Sequence, residues 1–274
     1  MSRASQAPRA LRWTVYVAIA IVFAIACGFL SNWQFTRNAE RTRQLELIAE
    51  HYDADPVPLA SVLPTGALLD PSDEWTPVTL TGTYLADEQL LARNRPHGGT
   101  AAYEVLVPFR LDDGRVLLVD RGWVPPGEGT QPDAVPAPPS GEVTVVVRLR
   151  PGEELRSTSE APPGQVPVIN LPLIAGTVAS GSDLETGAYG LMVSEDPAPA
   201  TTPQAIEDPS DDPGPYLSYA VQWILFAVMG FGFIGYIIVS ERRYAREDAA
   251  ERAARQARRR DRDAEAEDAL LDAR

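Results

Sequence analysis

Few side chains of this 274-residue chain can carry out acid–base, nucleophilic or metal chemistry. The sequence has one cysteine, Cys27, and two histidines, His51 and His97, and all 24 of its basic residues are arginine. Schiff-base chemistry and a P-loop both need a lysine, and a zinc or copper centre needs more thiols or imidazoles at short spacing. His97 precedes a glycine pair, but no nucleophile turn accompanies it. We therefore predict a protein that is not an enzyme and holds no metal ion.

Three groups of residues remain as candidates for contact with a partner. Each group combines an aromatic ring with an arginine or an amide, and the members are Trp33, Gln34 and Arg37; Arg121, Gly122 and Trp123; and Tyr216, Tyr219, Gln222 and Trp223. Two interpretations stay open for the first and last groups, a functional interface or aromatic anchors at a membrane surface. For the middle group, Arg121 can hold a partner's acid, or it can pair with an acid of its own domain while Trp123 packs in the core. The second of these is favoured on physical grounds.

Two long uncharged runs position the first and last groups. The apolar part of the first run, residues 13–30, has 18 residues and covers about 27 Å as a helix. Residues 217–239 form the second, with 23 residues and a helical length of about 34 Å. Both lengths suit a hydrocarbon core of about 30 Å. The sequence therefore predicts a membrane protein with two transmembrane helices.

The charge is distributed unevenly along the chain. Of the formal net charge of −14, residues 1–37 carry +4, residues 38–215 carry −18 and residues 216–274 carry none. Arginines precede the first span and follow the second, so we expect both termini in the cytoplasm and the middle segment outside. Such an acidic middle segment does not fit phosphate-tracking nucleic-acid binding, and we expect no nucleic-acid partner.

Small residues in the two spans predict close helix packing. Ala20, Ala24 and Gly28 recur every fourth residue in the first span and offer such a face. The second span contains a GxGxxG pattern at residues 230–235. A dinucleotide loop would need a preceding strand, so we interpret these glycines as helix contacts.

The middle segment is rich in proline and glycine, which disfavours long helices. Only residues 38–52 have a helical pattern, and they are expected to extend the first helix. Strand-like segments follow at 78–84, 103–111, 115–120 and 142–149, with shorter ones at 165–173 and 188–193. The fold class predicted is α+β, with two transmembrane helices flanking a mostly antiparallel β domain of five or six strands.

The predicted organisation has five parts. They are a cytoplasmic tail at 1–12, a transmembrane helix at 13–33, an extracytoplasmic β-rich domain at 34–215 with a flexible acidic linker at 194–215, a transmembrane helix at 216–240, and a cytoplasmic charged helical tail at 241–274. The last tail has ten acids and ten arginines, with several i, i+4 pairs. It is most simply a solvated helix, with anionic-lipid contact at Arg242, Arg243 and Arg246 as a secondary interpretation.

The order of several motifs resembles a known family. The motifs are WQxxR at residues 33–37, TGTY at 81–84, a glycine pair at 98–99, LLVDRGWVP at 117–125 and YAVQW at 219–223. In this order they look like the surfeit locus protein family, whose members are two-span biogenesis factors of cytochrome c oxidase. The resemblance covers residues 15 to 240 and includes both spans.

The resemblance implies a non-catalytic assembly factor for an aa3-type oxidase in the plasma membrane of a bacterium. The implied partners are oxidase subunits, above all subunit I, with transient contact to haem a. Family members commonly have a histidine directly before the leucine of the second span, where this chain has Tyr216. Neutral tyrosine is a poorer haem ligand than imidazole, so we expect no firmly bound cofactor. A membrane-anchored envelope scaffold or sensor is the alternative, and it explains the topology but not the ordered motifs.

Overall fold

The computed structural model describes residues 9–129, 131–155 and 161–272. They form two units. One is helical and contains the described parts of residues 1–41 and 213–274. The other, residues 42–212, is the β domain.

Two long helices make up the helical unit. Helix α1 runs Arg9–His51, with its last ten residues in the β domain, and helix α4 runs Tyr216–Asp272. Each is long and apolar enough to cross a membrane. Both continue beyond their apolar runs: α1 covers the residues predicted as its extension up to His51, and α4 continues through the charged tail to Asp272.

The two helices pack in antiparallel orientation. Ser31 Oγ donates to the carbonyl of Ala220 at 2.9 Å, and near the other end Trp13 Nε1 donates to Glu241 Oε2 at 2.8 Å. Between these contacts, a Cβ placed on Gly230 would lie 3.1 Å from the Phe23 ring. The close approach therefore extends over most of the apolar length.

The residues of this contact differ from the predicted small-residue face. Ala20, Cys27 and Ser31 are buried on α1, whereas Gly28 is exposed. The buried residues are seven and four positions apart. A strict repeat of four drifts around the helix, because four residues are more than the about 3.6 residues of one turn, whereas alternating steps of seven and four stay on the side that faces the other helix. Of the GxGxxG glycines, only Gly230 has a neighbour from the other helix within 4 Å of a Cβ position.

The β domain contains eight strands and two short helices in its described residues. The strands are β1 (Val57–Pro58), β2 (Pro77–Tyr84), β3 (Leu90–His97), β4 (Thr100–Leu111), β5 (Val116–Val124), β6 (Val143–Arg150), β7 (Gln165–Val166) and β8 (Tyr189–Asp196). The helices are α2 (Leu59–Val62) and α3 (Leu171–Ala175), and single 3-10 turns lie at Pro71–Asp73, Ala86–Glu88 and Gly181–Asp183.

Five of the strands pair into a closed ring. The order is β2–β6–β8–β5–β4, and β4 closes the ring by pairing with β2 at Gly82–Tyr84. Strand β3 pairs with β4 outside the ring, β7 adds to β3, and β1 adds to β2. Five pairings are antiparallel, and three are parallel: β1–β2, β3–β7 and β5–β8. The α+β class with a mostly antiparallel sheet is thus confirmed.

Two segments differ from the prediction. Strand β3 was not predicted, because its sequence LLARNRPH has no alternation, and Asn94, with φ of 59°, interrupts its register. Residues 165–173 were predicted as strand, but only Gln165–Val166 pair. Asn170 then caps α3, accepting the Leu173 N–H at 3.0 Å, as expected for an asparagine before a helix.

The ring divides the hydrophobic core in two. Inside it, Leu117 and Val119 of β5 pack with side chains from β2, β4 and β6. Leu118, between them, points to the opposite face and packs with Leu106 and residues of the β7–α3 segment. Because successive side chains of a strand alternate, Arg121 continues the inner row and Asp120 the outer one.

The predicted flexible linker at 194–215 needs correction in its first part. Strand β8 extends to Asp196, so residues 194–196 belong to the sheet. Farther on, Gln204 forms an isolated antiparallel bridge with Trp123 of β5. Asp208 accepts a hydrogen bond from the hydroxyl of Tyr52 at 2.6 Å. The sequence predicted a flexible linker because proline and acidic residues are typical of unstructured segments, and these tertiary contacts leave no signal in the composition.

Candidate functional site

Arg121 lies inside the β ring and is fully buried. Its Nη2 donates to Glu195 Oε1 at 2.6 Å and its Nε to Oε2 at 3.3 Å, while Nη1 donates to the carbonyl of Pro136 at 3.0 Å. The guanidinium also lies 5.3 Å from the centre of the Tyr84 ring. Burial, and next the charge of Glu195, raise the pKa of Tyr84. Arg121 therefore pairs with an acid of its own domain, as the favoured interpretation had it, whereas Trp123 is only half-buried and does not pack in the core as that interpretation expected.

Gly122 allows another segment to approach the backbone of β5. Its φ is 116°, a region that favours glycine. A Cβ at this position would lie 2.2 Å from the carbonyl oxygen of Gln204. Asp120 Oδ1 accepts the Gly122 N–H at 3.0 Å and fixes the local turn of the chain. The glycine of the motif thus serves the contact with Gln204.

Trp123 holds the segment that contains Gln204, residues 202–208, which we call the strap. The backbone N–H of each of Trp123 and Gln204 donates to the carbonyl of the other at 2.8 Å. The indole Nε1 donates to the carbonyl of Ala205 at 3.1 Å. On its other side the indole stacks on the ring of His97, with centroids 5.3 Å apart and planes 10° from parallel. Trp123 therefore joins the strap to the β3–β4 hairpin.

Next to Trp123 lies a polar cluster that sequence reasoning missed, with His97, Glu104 and Asp120 buried and its other members half-buried. It consists of Arg95, His97, Glu104, Asp120 and Glu153. Glu104 accepts hydrogen bonds from Arg95 Nε at 2.6 Å and contacts His97 Nε2 at 2.9 Å, and Arg95 Nη2 donates to Glu153 Oε1 at 2.7 Å. The signal in the sequence was weak, because the members lie on β3, β4, β5 and the chain after β6.

The pKa values of two acids in this polar cluster shift in opposite directions. Burial raises the pKa of Glu153, but the hydrogen bond from Arg95, the Ile169 N–H and the Arg95 charge bring the pKa below its usual value. Asp120 differs, because full burial, and next the charge of Glu104, raise its pKa well above the usual value. The N–H of Gly122 and the charge of Arg95 offset only part of that effect. Asp120 thus has a strong tendency to stay protonated.

Hydrogen bonds and ring stacking hold the side chains of the polar cluster in place. Among the described residues, no group of three or more His, Cys, Asp or Glu side chains is arranged to hold a metal ion. Glu104 holds His97 at Nε2, and Trp123 covers its ring. His51 is also engaged, since its Nδ1 lies 3.2 Å from the carbonyl of Glu74 and 3.1 Å from Thr76 Oγ1.

The other candidate residues lie on the helical unit. They form two groups, one around Trp33 on α1 and one around Tyr219 on α4. Trp33 is two residues from Ser31 and Tyr219 is next to Ala220, so the Ser31–Ala220 hydrogen bond places both groups at the same level of the helix pair. Trp33 and Tyr219 are 53% and 48% exposed. The structure therefore brings these two groups to one level and keeps the Arg121 group in the β domain.

The remaining members of these groups contact mainly their own helices. Arg37 pairs with Glu40 at 2.9 Å, and Trp223 meets the Phe226 ring edge-on at 5.7 Å. Gln222 is exposed, and Tyr216 is half-buried. The side-chain oxygen of Gln34 is buried and has no hydrogen-bond partner among the described residues.

Comparison with known proteins extends these observations. A sequence profile of the SURF1 family matches residues 21–228. SURF1-like proteins of Mycobacterium tuberculosis and Mycobacterium bovis, both described as uncharacterized, are 35% identical over 242 residues, which cover 84% of this chain and 86% of theirs. The cytochrome oxidase assembly protein SHY1 of Saccharomyces cerevisiae is 28% identical over 145 residues, 49% of this chain and 36% of its own.

Proposed function

The chain belongs to the SURF1 family, and from this premise we propose that it is a membrane-anchored, non-catalytic assembly factor for an aa3-type cytochrome c oxidase. One observation carries the proposal. The family match extends from the first apolar helix through the β domain into the second, and a relative in yeast is a cytochrome oxidase assembly protein. The ordered motifs WQxxR, RGWVP and YAVQW lie within the matched range.

We propose a topology with both termini in the cytoplasm and the β domain outside the plasma membrane of a bacterium. Arg12 precedes the first apolar run, and Arg242, Arg243 and Arg246 follow the second, as the positive-inside rule requires. The acids before the second run lie at its outer end. This topology places Trp33 and Tyr219 at the outer surface of the membrane.

We propose that the helix pair contacts subunit I, or haem a on its way to subunit I, at this outer level. Trp33 and Tyr219 offer exposed aromatic surface. For haem as cargo, these residues fit contact with the macrocycle better than ligation of the iron. In the β domain, Glu104 contacts His97 at Nε2 and the Glu74 carbonyl contacts His51 at Nδ1, whereas Tyr216 offers an oxygen ligand near this level of the helix pair.

Deletion of the gene followed by complementation tests the proposal. We expect the deletion strain to lose haem a absorbance and oxidase activity, and the wild-type gene to restore both. The double variant Trp33→Ala/Tyr219→Ala should restore much less. The matched control is Val22→Ala/Val228→Ala, which removes exposed apolar side chains from the same helices about two turns away from this level. Full haem a content in the deletion strain would contradict a role in oxidase assembly.

A second experiment separates haem ligation from haem contact. The purified full-length protein in detergent is titrated with haem, and the Soret band is followed. A shift that Tyr216→Phe abolishes would support ligation by Tyr216, whereas an unchanged shift in the variant would support contact without ligation. Affinity purification distinguishes the alternative function, because an envelope scaffold or sensor would recover envelope proteins without oxidase subunits.

A further inference from the structure

We propose that the termini-side end of the helix pair binds the head group of an anionic phospholipid. The site is a cleft of about 570 Å³ on α4, lined by Val239, Arg242, Arg243, Arg246 and Glu247. It lies at the opposite end of the apolar length from Trp33 and Tyr219, so it does not depend on the proposed role in oxidase assembly. We call it the arginine cleft.

Glu241, the acid that directly precedes the arginines of the cleft in sequence, is already neutralised from the other helix. Glu241 accepts hydrogen bonds from the guanidinium of Arg12 and from Trp13 Nε1. The hydrogen bond and charge of Glu241 raise the pKa of Arg12. Glu241 is therefore held by α1 and is not the partner of the arginines that follow it.

Two of the three arginines in the cleft remain without a carboxylate partner in the described part of the chain. Arg243 Nε donates to Glu247 at 2.9 Å, whereas Arg246 is exposed and makes no ion pair there. The Arg242 guanidinium lies 4.9 Å from the centre of the Trp13 ring, a cation–π contact that orients it and leaves its N–H groups free for an anion. The cleft thus carries positive charge that nothing described in the protein neutralises.

The position of the arginine cleft selects a lipid over a soluble anion. It begins where the apolar run ends, and Val239 and Tyr236 at that end are 65% and 70% exposed. If Arg242 and Arg246 bind the phosphate of a lipid head group, the acyl chains of that lipid lie along this apolar surface. One planar guanidinium group can donate two parallel hydrogen bonds to two oxygens of a phosphate, which a lysine ammonium group cannot do. Trp13 lies at the same level, as tryptophan commonly does at the border of the hydrocarbon core.

Lipid titration of the full-length protein in detergent tests this inference. The probe is dioctanoyl phosphatidylglycerol, and native mass spectrometry measures the bound fraction. Arg242→Gln/Arg246→Gln should weaken binding roughly 30-fold, since each arginine near a lipid phosphate contributes about fivefold to the affinity. The control, Arg252→Gln/Arg255→Gln, removes the same charge farther along the same helix and should leave the affinity unchanged.

Two further ligands decide between sources of the phosphate. Dioctanoyl phosphatidylcholine should bind much more weakly, and millimolar inorganic phosphate should not displace the anionic lipid. Equal binding of both lipids, displacement by phosphate, or equal loss in the control variant would each overturn the proposal. If the double variant does not fold, Arg246→Gln alone serves the same test, because that side chain is exposed and unpaired in the described structure.

Discussion

Arg121 shows at the residue scale how a motif position can be structural. The guanidinium of Arg121 and the carboxylate of Glu195 are almost completely buried, with side-chain exposures of 0% and 3%. Removing two charges from water is costly, and their mutual attraction and hydrogen bonds offset that cost only while both are present. The role of Arg121 is thus to fix β5 against β8, next to the strap.

The first prediction concerns this buried ion pair. Glu195→Gln leaves the charge of Arg121 without compensation and should lower the free energy of unfolding by about 3 kcal/mol or more. The control is Asp183→Asn, which breaks the exposed pair of Asp183 with Arg110. That change should cost less than about 1 kcal/mol. Thermal unfolding of the full-length protein in detergent measures both, and equal small losses would contradict a structural role for the pair.

The second prediction follows from the raised pKa of Asp120, which has its origin in burial and in the charge of Glu104. Between the ordinary carboxyl pKa of the unfolded chain and the raised pKa of the folded protein, the folded state holds a proton that the unfolded state has released. The free energy of unfolding therefore falls as the pH rises through this interval. Asp120→Asn mimics the protonated carboxyl and should remove that fall.

Asp113 provides a control of opposite sign. Burial raises its pKa, but the backbone N–H, the side chain and the charge of Arg115 together bring it below the usual value. Its contribution to stability is present above the carboxyl pKa of the unfolded chain and is lost as the pH falls through the folded pKa, so Asp113→Asn should change the slope of the profile only on its acidic side. Unfolding temperatures measured from about pH 3 to about pH 8 test both variants. An unchanged slope in Asp120→Asn would show that another group sets it.

At the element scale, the RGWVP motif attaches the strap to the edge of β5. Strand β8 pairs with β5 only at Val119 and Asp120, so the edge of β5 beyond them is open. Gln204 of the strap covers that edge with two backbone hydrogen bonds. Gly122 permits the approach, and Trp123 holds the strap from the side. The motif therefore ties the chain that enters the second span to the β domain.

The third prediction tests this attachment. Gln204→Pro removes the N–H that donates to the Trp123 carbonyl, and it should detach the strap locally. Hydrogen exchange at the Trp123 amide should accelerate at least tenfold, while the amides of β4 keep their protection. Gln204→Ala retains the backbone N–H and should exchange like the wild type. Unchanged exchange in Gln204→Pro would mean that the bridge adds nothing to the order of this segment.

Sequence patterns predicted the elements whose periodicity is strong. Alternation identified β2 and β6, and uncharged length identified the helices. Strand β3 escaped because arginines and an asparagine with positive φ replace alternation there. The polar cluster escaped for another reason: its ion pairs join residues that are distant in sequence, such as Arg95 and Glu153, and only the ring of strands brings them together. The resemblance located Arg121 and Trp123, but their partners Glu195 and Gln204 depend on tertiary pairing.

At the scale of the whole molecule, the net charge of −14 arises from residues 38–215, which are mainly the β domain. The helical unit instead has a tight apolar contact, in which Ala220 is fully buried and accepts the Ser31 hydroxyl hydrogen bond. The family match includes both units. A change confined to the helix contact can therefore show whether the helix pair acts in assembly or only anchors the β domain.

Ala220→Leu is the variant that makes this distinction. Leucine and alanine are both good helix formers, so α4 should persist, but the larger side chain would force the helices apart at the Ser31 contact. We expect the variant to reach the membrane at normal levels and to restore less than about a tenth of the haem a absorbance in a deletion strain, the size of effect that about 1.4 kcal/mol produces. The control Val221→Leu adds a methylene at the next position, which is 46% exposed. It should complement like the wild type, whereas full complementation by Ala220→Leu would show that the helix pair is only an anchor.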